Sequence, residues 1–285
     1  MSLPADETAR LAAESARLAA EMEQLANPTP GAVSGATPGP PAPVGYHAAT
    51  RSATYGFLAA LPLFVLYEVG VIVANGDAPG QVRVGADVWL KGLIASVGGT
   101  GWAAIGAFVV ALGAVVMWRE RARRPPLRAR WFGLIVAESL VYAVVLAFLV
   151  SGVVGALFGS WVVPDLALAQ MDRFGLGLQL ALSIGAGLYE ELVFRVILVG
   201  GLFLLLRRAS PLADRRAYVV AAVVGALVFS AVHHLGAFGD PFTLSVFTFR
   251  FLFGLALNAV FLVRGFAVAA WTHALYDVLV VTGSL

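Results

Sequence analysis

The chain has 285 residues, of which 60% are apolar and 13% charged, with a mean hydropathy of +0.86 and a formal net charge of +2. Soluble domains are about half apolar and about a quarter charged, so these proportions exclude an ordinary soluble fold and point to a polytopic membrane protein. The basic residues are nearly all Arg gathered in short loops, and cysteine is absent. That leaves no support for nucleic-acid binding and excludes disulfides, thiolate metal ligands and a Cys nucleophile.

The first ten residues, MSLPADETAR, are polar and lack the basic and short apolar regions of a cleavable signal, so insertion is expected to be driven by the spans themselves. Residues 1–26 are expected to hold a cytoplasmic amphipathic helix. Within 6–26, Leu11, Leu18, Met22 and Leu25 fall at heptad-compatible spacing, with polar Ser15 interrupting the seam. Such a stripe suits a surface helix; self-association through a short coiled coil is the sharper alternative. Residues 27–50 follow as a Pro/Gly-rich linker without the side chains to build a core. The membrane domain is expected over 51–285.

A span needs roughly 20 apolar residues. Spans are expected at 53–74, 99–118, 131–156, 176–206, 217–235, 242–263 and 266–282, with 84–98 as an interfacial or half-inserted helix. The fold class is therefore an all-α membrane bundle of seven to eight helices. Arg119, Arg121, Arg123, Arg124, Arg128 and Arg130 lie between the second and third spans. Arg207, Arg208, Arg215 and Arg216 lie between the fourth and fifth, and Arg264 between the last two. These loops fall on one side if 176–206 crosses once, tilted or kinked near Gly185 and Gly187. The other side carries Asp77, Asp165, Asp172 and Asp240. The positive-inside rule then places the Arg side and the N-terminus in the cytoplasm. The Arg-rich, Ala/Gly/Val-rich composition suits a bacterial inner membrane.

Ionisable groups inside hydrocarbon cost several kcal/mol unless paired or hydrated, and each is a functional candidate. Glu191 and Arg195 stand four apart in the order that favours an ion pair on one helical face, which suits a structural pair. Glu190 points about 100° away and has no partner on its own helix, so it needs one from elsewhere or must be held neutral. Its position, about 16 residues from the cytoplasmic end of its span, places it roughly 24 Å deep. His233 falls at a similar depth on the fifth span, and His273 and Asp277 share one face of the last. Converging, these groups could activate water beside an oxyanion donor or hold a divalent metal. His234 is expected to be interfacial or structural, Glu68 and Glu138 to tie helices together in preference to supporting the site or lining the lumen, and Arg250 to act as a counter-charge or snorkel toward the surface. Phe194 and Phe229 are expected to pack around the polar spot.

The three motifs EELVFR (Glu190 to Arg195), FSAVH (Phe229 to His233) and HALYD (His273 to Asp277) occur in order, each in a predicted span. Together they resemble the CPBP family of intramembrane proteases, which includes the type II CAAX prenyl endopeptidases and bacterial Abi relatives. The resemblance covers 170–285. It implies an endopeptidase acting on a membrane-associated protein or peptide, with Glu190 as the general base and His233 assisting. It gives His273 and Asp277 to the oxyanion or to a metal, and Glu191, Arg195 and Phe229 to support. Asp277 stands where many relatives have Asn, and an Asp cannot donate to an oxyanion unless it is protonated or works through His273. HExxH is absent, so metal-free chemistry is favoured, although Glu190, His233, His273 and Asp277 could hold zinc. Two other readings use the same buried charges: a proton- or ion-coupled transporter, and a non-catalytic scaffold or immunity-type partner.

Overall fold

The computed structural model describes Glu14 and residues 44–76, 81–96, 98–99, 101–122, 125–159, 173–236 and 239–285. Apart from Glu14, which is helical and exposed, the expected N-terminal helix and most of the linker lie outside the described residues. So do Asp77, Asp165, Asp172, Arg123 and Arg124 of the charge pattern.

Every regular element among the described residues is helical. A short α1 (Tyr46–Thr50) precedes α2 (Ala53–Asn75), α3 (Gly85–Ser96), α4 (Gly101–Arg119) and α5 (Ala129–Phe158). Next comes a helical rod of three parts: α6 (Leu176–Gly185), a π-helical segment π1 (Ala186–Val199) and α7 (Gly200–Ala209). The chain ends with α8 (Asp214–Val232), α9 (Leu244–Arg264) and α10 (Phe266–Val281). Helices α2, α5, α8 and α9 are each long and apolar enough to cross a membrane, and α4 and α10 are shorter apolar helices. Outward faces carry Val65, Leu66, Val69 and Val73 on α2 and Val141 and Phe148 on α5, all exposed. Such faces belong against lipid tails, and the chain is an integral membrane protein. Helix α3, with 12 residues, is about 18 Å long and too short to cross, as the half-inserted reading of 84–98 expects.

The turns follow from local chemistry. The Ser52 and Thr243 hydroxyls accept the backbone N–H groups of Tyr55 and Val246, capping α2 and α9. Gly265, at φ +84 with backbone of Arg51 close by, makes the abrupt turn from α9 into α10. At this end of the bundle the Arg-bearing helix ends are tied together. Tyr46 donates to Glu138 at 2.7 Å, and Arg264 does the same at 2.7 Å. Glu138 thus joins α1, α5 and α9, the helix-tying role expected of it. Glu120 accepts the backbone N–H groups of Ala53 and Thr54 at 2.8 Å each. Burial pushes the Glu120 carboxyl up, but the bonds from Thr54 and Ala53 outweigh it and hold the group below the usual carboxylate range.

Helix α10 sits at the centre, against α2, α5, α6, π1 and α9. It can be surrounded because Ala267, Ala269, Ala270 and Ala274 keep its surface thin, and all are buried. The closest approach is to π1. A Cβ added to Gly187 would lie 2.5 Å from the Cβ and backbone N of Ala274 and 2.6 Å from the carbonyl of Ala270. At Gly185 it would lie 2.3 Å from the Tyr67 ring. The two glycines therefore serve helix contact. Gly187→Val is expected to push α10 off π1 and to destabilise the protein by about 1–3 kcal/mol, measurable as a lower thermal midpoint in detergent.

Candidate active site

The second motif's helix ends earlier than the hydropathy predicts. α8 stops at Val232, three residues short of the expected end at 235, and His233 is the first residue beyond it. The Gly-containing stretch HLGAFGDP is the physical reason. Gly236 takes φ +85, and the Asp240 N–H bonds the His233 carbonyl at 2.8 Å to close the loop. His234 points into that loop, with Nδ1 3.0 Å from the Asp240 carbonyl and its ring against Phe242 and Phe247. Its role in holding the loop agrees with the structural one expected.

The first motif lies wholly in π1, whose last turn closes with the Gly200 N–H on the Arg195 carbonyl, five residues back. A π turn holds more residues than an α turn, so successive side chains diverge by less than the expected 100°. Two consecutive glutamates can therefore reach one imidazole. Glu191 Oε1 is 2.7 Å from His273 Nδ1, and Glu190 Oε2 is 4.0 Å from His273 Nε2.

Glu191 is fully buried and forms the expected ion pair with Arg195 at 2.9 Å. The Arg195 guanidinium also lies 4.5 Å over the Phe229 ring. Phe229 packs edge-on to Phe194, His233 and His273. The pair is therefore not self-contained: Glu191 also fixes His273.

The hydrogen bonds set the tautomers. His233 Nδ1 lies 2.6 Å from the Phe229 carbonyl, which can only accept, so Nδ1 carries a proton. In the neutral ring, Nε2 then presents a lone pair to Glu190 Oε2 at 3.5 Å. Two acceptors facing each other at that distance call for a donor between them. Oε2 of Glu190 is buried and has no hydrogen-bond partner within the protein. His273 donates Nδ1–H to Glu191, and its Nε2 lies 3.6 Å from Asp277 Oδ2. To bond either Glu190 or Asp277 directly, that nitrogen needs a second proton.

Glu190, His233, His273 and Asp277 all line one cavity of about 500 Å³, with Arg250, Asp240, Trp89 and Tyr276 also in its wall. All four residues predicted from the sequence are thus brought to one place. Arg250 forms an ion pair with Asp240, the counter-charge role expected of it, while still facing the cavity. Among the described residues, no group of three or more His, Asp or Glu side chains is placed to hold a metal ion.

The support beneath Glu190 runs through Glu68. Tyr189, its neighbour, donates to Glu68 at 2.8 Å, and Lys91 and Arg83 bind Glu68 at 2.7 and 3.1 Å. The same two cations bind Asp87, which also accepts from Tyr67 at 2.8 Å. This buried network ties α2 and α3 to π1, so Glu68 both joins helices and props up the motif. Charges at 83, 87 and 91 on one helical face were the available signal. Glu68→Ala is expected to cost about 1–3 kcal/mol and Tyr189→Phe less, read by thermal unfolding in detergent.

No curated protein and no solved structure matches the chain. Residues 172–279 match the family model described as type II CAAX prenyl endopeptidase Rce1-like. This is the protease family that the three motifs resemble, and the matched stretch holds all four polar side chains that meet in the cavity. Residues 172–279 of this integral membrane protein are thus similar to the type II CAAX prenyl endopeptidase Rce1-like family.

Proposed function

We propose that the cavity hydrolyses a peptide bond in a membrane-associated protein or peptide, using water activated by Glu190 and His233. The observation that carries this is the pair of facing acceptors, Glu190 Oε2 and His233 Nε2, 3.5 Å apart. A water molecule donating one hydrogen to each would keep an oxygen lone pair for attack on a scissile carbonyl. Glu190 takes the proton as the carbon–oxygen bond forms. The same proton then goes to the leaving amine as the carbon–nitrogen bond breaks. His273, held by Glu191, is the group placed to donate Nε2–H to the developing oxyanion in its doubly protonated form. Asp277, 3.6 Å from that Nε2, orients the ring from the other side without itself donating to the oxyanion.

The Arg-bearing end of the bundle, with the N-terminus, faces the cytoplasm of a bacterial inner membrane. The test uses purified protein, candidate membrane peptides and mass spectrometry, with and without chelator. Wild type is expected to cleave and His233→Ala to cleave poorly, with chelation making no difference. Loss of cleavage on chelation, restored by zinc, would overturn the metal-free mechanism. Unchanged cleavage by both His233→Ala and Glu190→Ala would overturn the site.

A further inference from the structure

The cavity has a direction across the membrane. Its walls at the mouth come from one end of the bundle. They are Val82 and Arg83 after α2, Phe174 before α6, Leu235 and Gly236 after α8, and Val281 ending α10. The Arg-bearing ends lie at the other pole. There Arg51 donates to the Leu262 carbonyl at 3.2 Å, Tyr55 donates to the Pro126 carbonyl at 2.9 Å, and Arg264 meets Glu138. The chain alternates between these poles. α2, α5, α8 and α10 start at the Arg pole and finish at the cavity pole, while the α6–π1–α7 rod and α9 run the reverse way.

The two poles differ in charge management. At the Arg pole, the α7–α8 connection carries Arg207, Arg208, Arg215 and Arg216, against a single acidic residue, Asp214. At the cavity pole two basic groups at the mouth are matched by acids: Arg83 by Glu68 and Asp87, and Arg250 by Asp240. Unmatched basic loops are what the positive-inside rule holds in the cytoplasm.

We infer that the cavity opens on the non-cytoplasmic face of the membrane, so that its substrates are membrane-anchored polypeptides whose scissile segment lies on that face. This rests on the proposed hydrolase reading for the word substrate, but the direction of the opening does not. His233, just past the end of α8, belongs to the mouth, and His273, mid-way along α10, lies further in. A segment passing the mouth would meet His233 first and Glu190 beyond it. A cytoplasmic segment would have to cross the bundle to reach them.

The absence of native cysteine allows a clean test. Single variants Leu235→Cys at the mouth, Ser284→Cys at the C-terminus and Ala213→Cys in the α7–α8 loop are exposed positions. They would be expressed in a bacterial host and treated with a membrane-impermeant maleimide, applied to spheroplasts before and after lysis. The expected pattern is labelling of Leu235→Cys and Ser284→Cys in intact spheroplasts and of Ala213→Cys only after lysis. Labelling of Ala213→Cys from outside would overturn the inference by reversing the orientation. Labelling of Ser284→Cys but not Leu235→Cys would overturn it by closing the mouth to that face. Neither result depends on cleavage, so failure of the hydrolase reading would show separately, in the assay of purified protein.

Discussion

Glu190→Gln is expected to lower peptide cleavage by about 10²–10⁴-fold while leaving the folded protein intact. The amide keeps the shape of the side chain but gives up the proton acceptor. Its NH₂ could still donate toward His233 Nε2, 3.5 Å from the present Oε2, so the fold has no reason to resist. Glu191→Gln is expected to behave in the opposite way. Glu191 is wholly buried between Arg195 at 2.9 Å and His273 at 2.7 Å. Neutralising it leaves a buried guanidinium without its counter-charge and should show first in stability. Turnover and melting temperature, measured on both variants in the same detergent, separate a chemical role from a structural one at adjacent positions.

Arg195→Ala is expected to be the most destabilising single change in the motif region, by about 3–5 kcal/mol. The guanidinium is buried to within 1%, touches Glu191 and covers the Phe229 ring. Removing it strands an ionised carboxylate in a water-poor core and opens a cavity beside Phe229. A double variant, Glu191→Leu with Arg195→Leu, removes both charges together and is expected to recover much of that loss. It should nevertheless be inactive, because His273 Nδ1 would lose the carboxylate that aims the ring. Stability restored without activity is the expected signature, read by thermal unfolding and by cleavage of one membrane peptide.

Much of this was legible in the residues because a membrane forces ionisable groups to declare themselves. The i, i+4 pair at Glu191 and Arg195, the lone Glu190 and the two downstream motifs each stood out against apolar helix. Four of the expected spans followed from hydropathy, and the long fourth one is a continuous helical rod. What failed to show was geometry that depends on backbone detail. The π turn over Ala186–Val199 has no simple sequence signal, and the expected α spacing turned Glu190 and Glu191 further apart than they are. Val and Ala continuing up to His233 carry the expected helix on to 235, whereas the loop that begins at His233 and turns at Gly236 ends it at Val232. The link from Tyr189 through Glu68 to Lys91 and Arg83 joins residues far apart in the chain. Pattern within one helix shows neither partner.

Cleavage of a membrane peptide by purified protein in ¹⁸O-labelled water tests the central claim most directly. Wild type is expected to give two fragments whose new carboxylate carries one solvent oxygen, and Glu190→Gln no product above the uncatalysed level. An unlabelled new terminus, or equal product from the Glu190→Gln variant, would contradict hydrolysis by a Glu190-activated water.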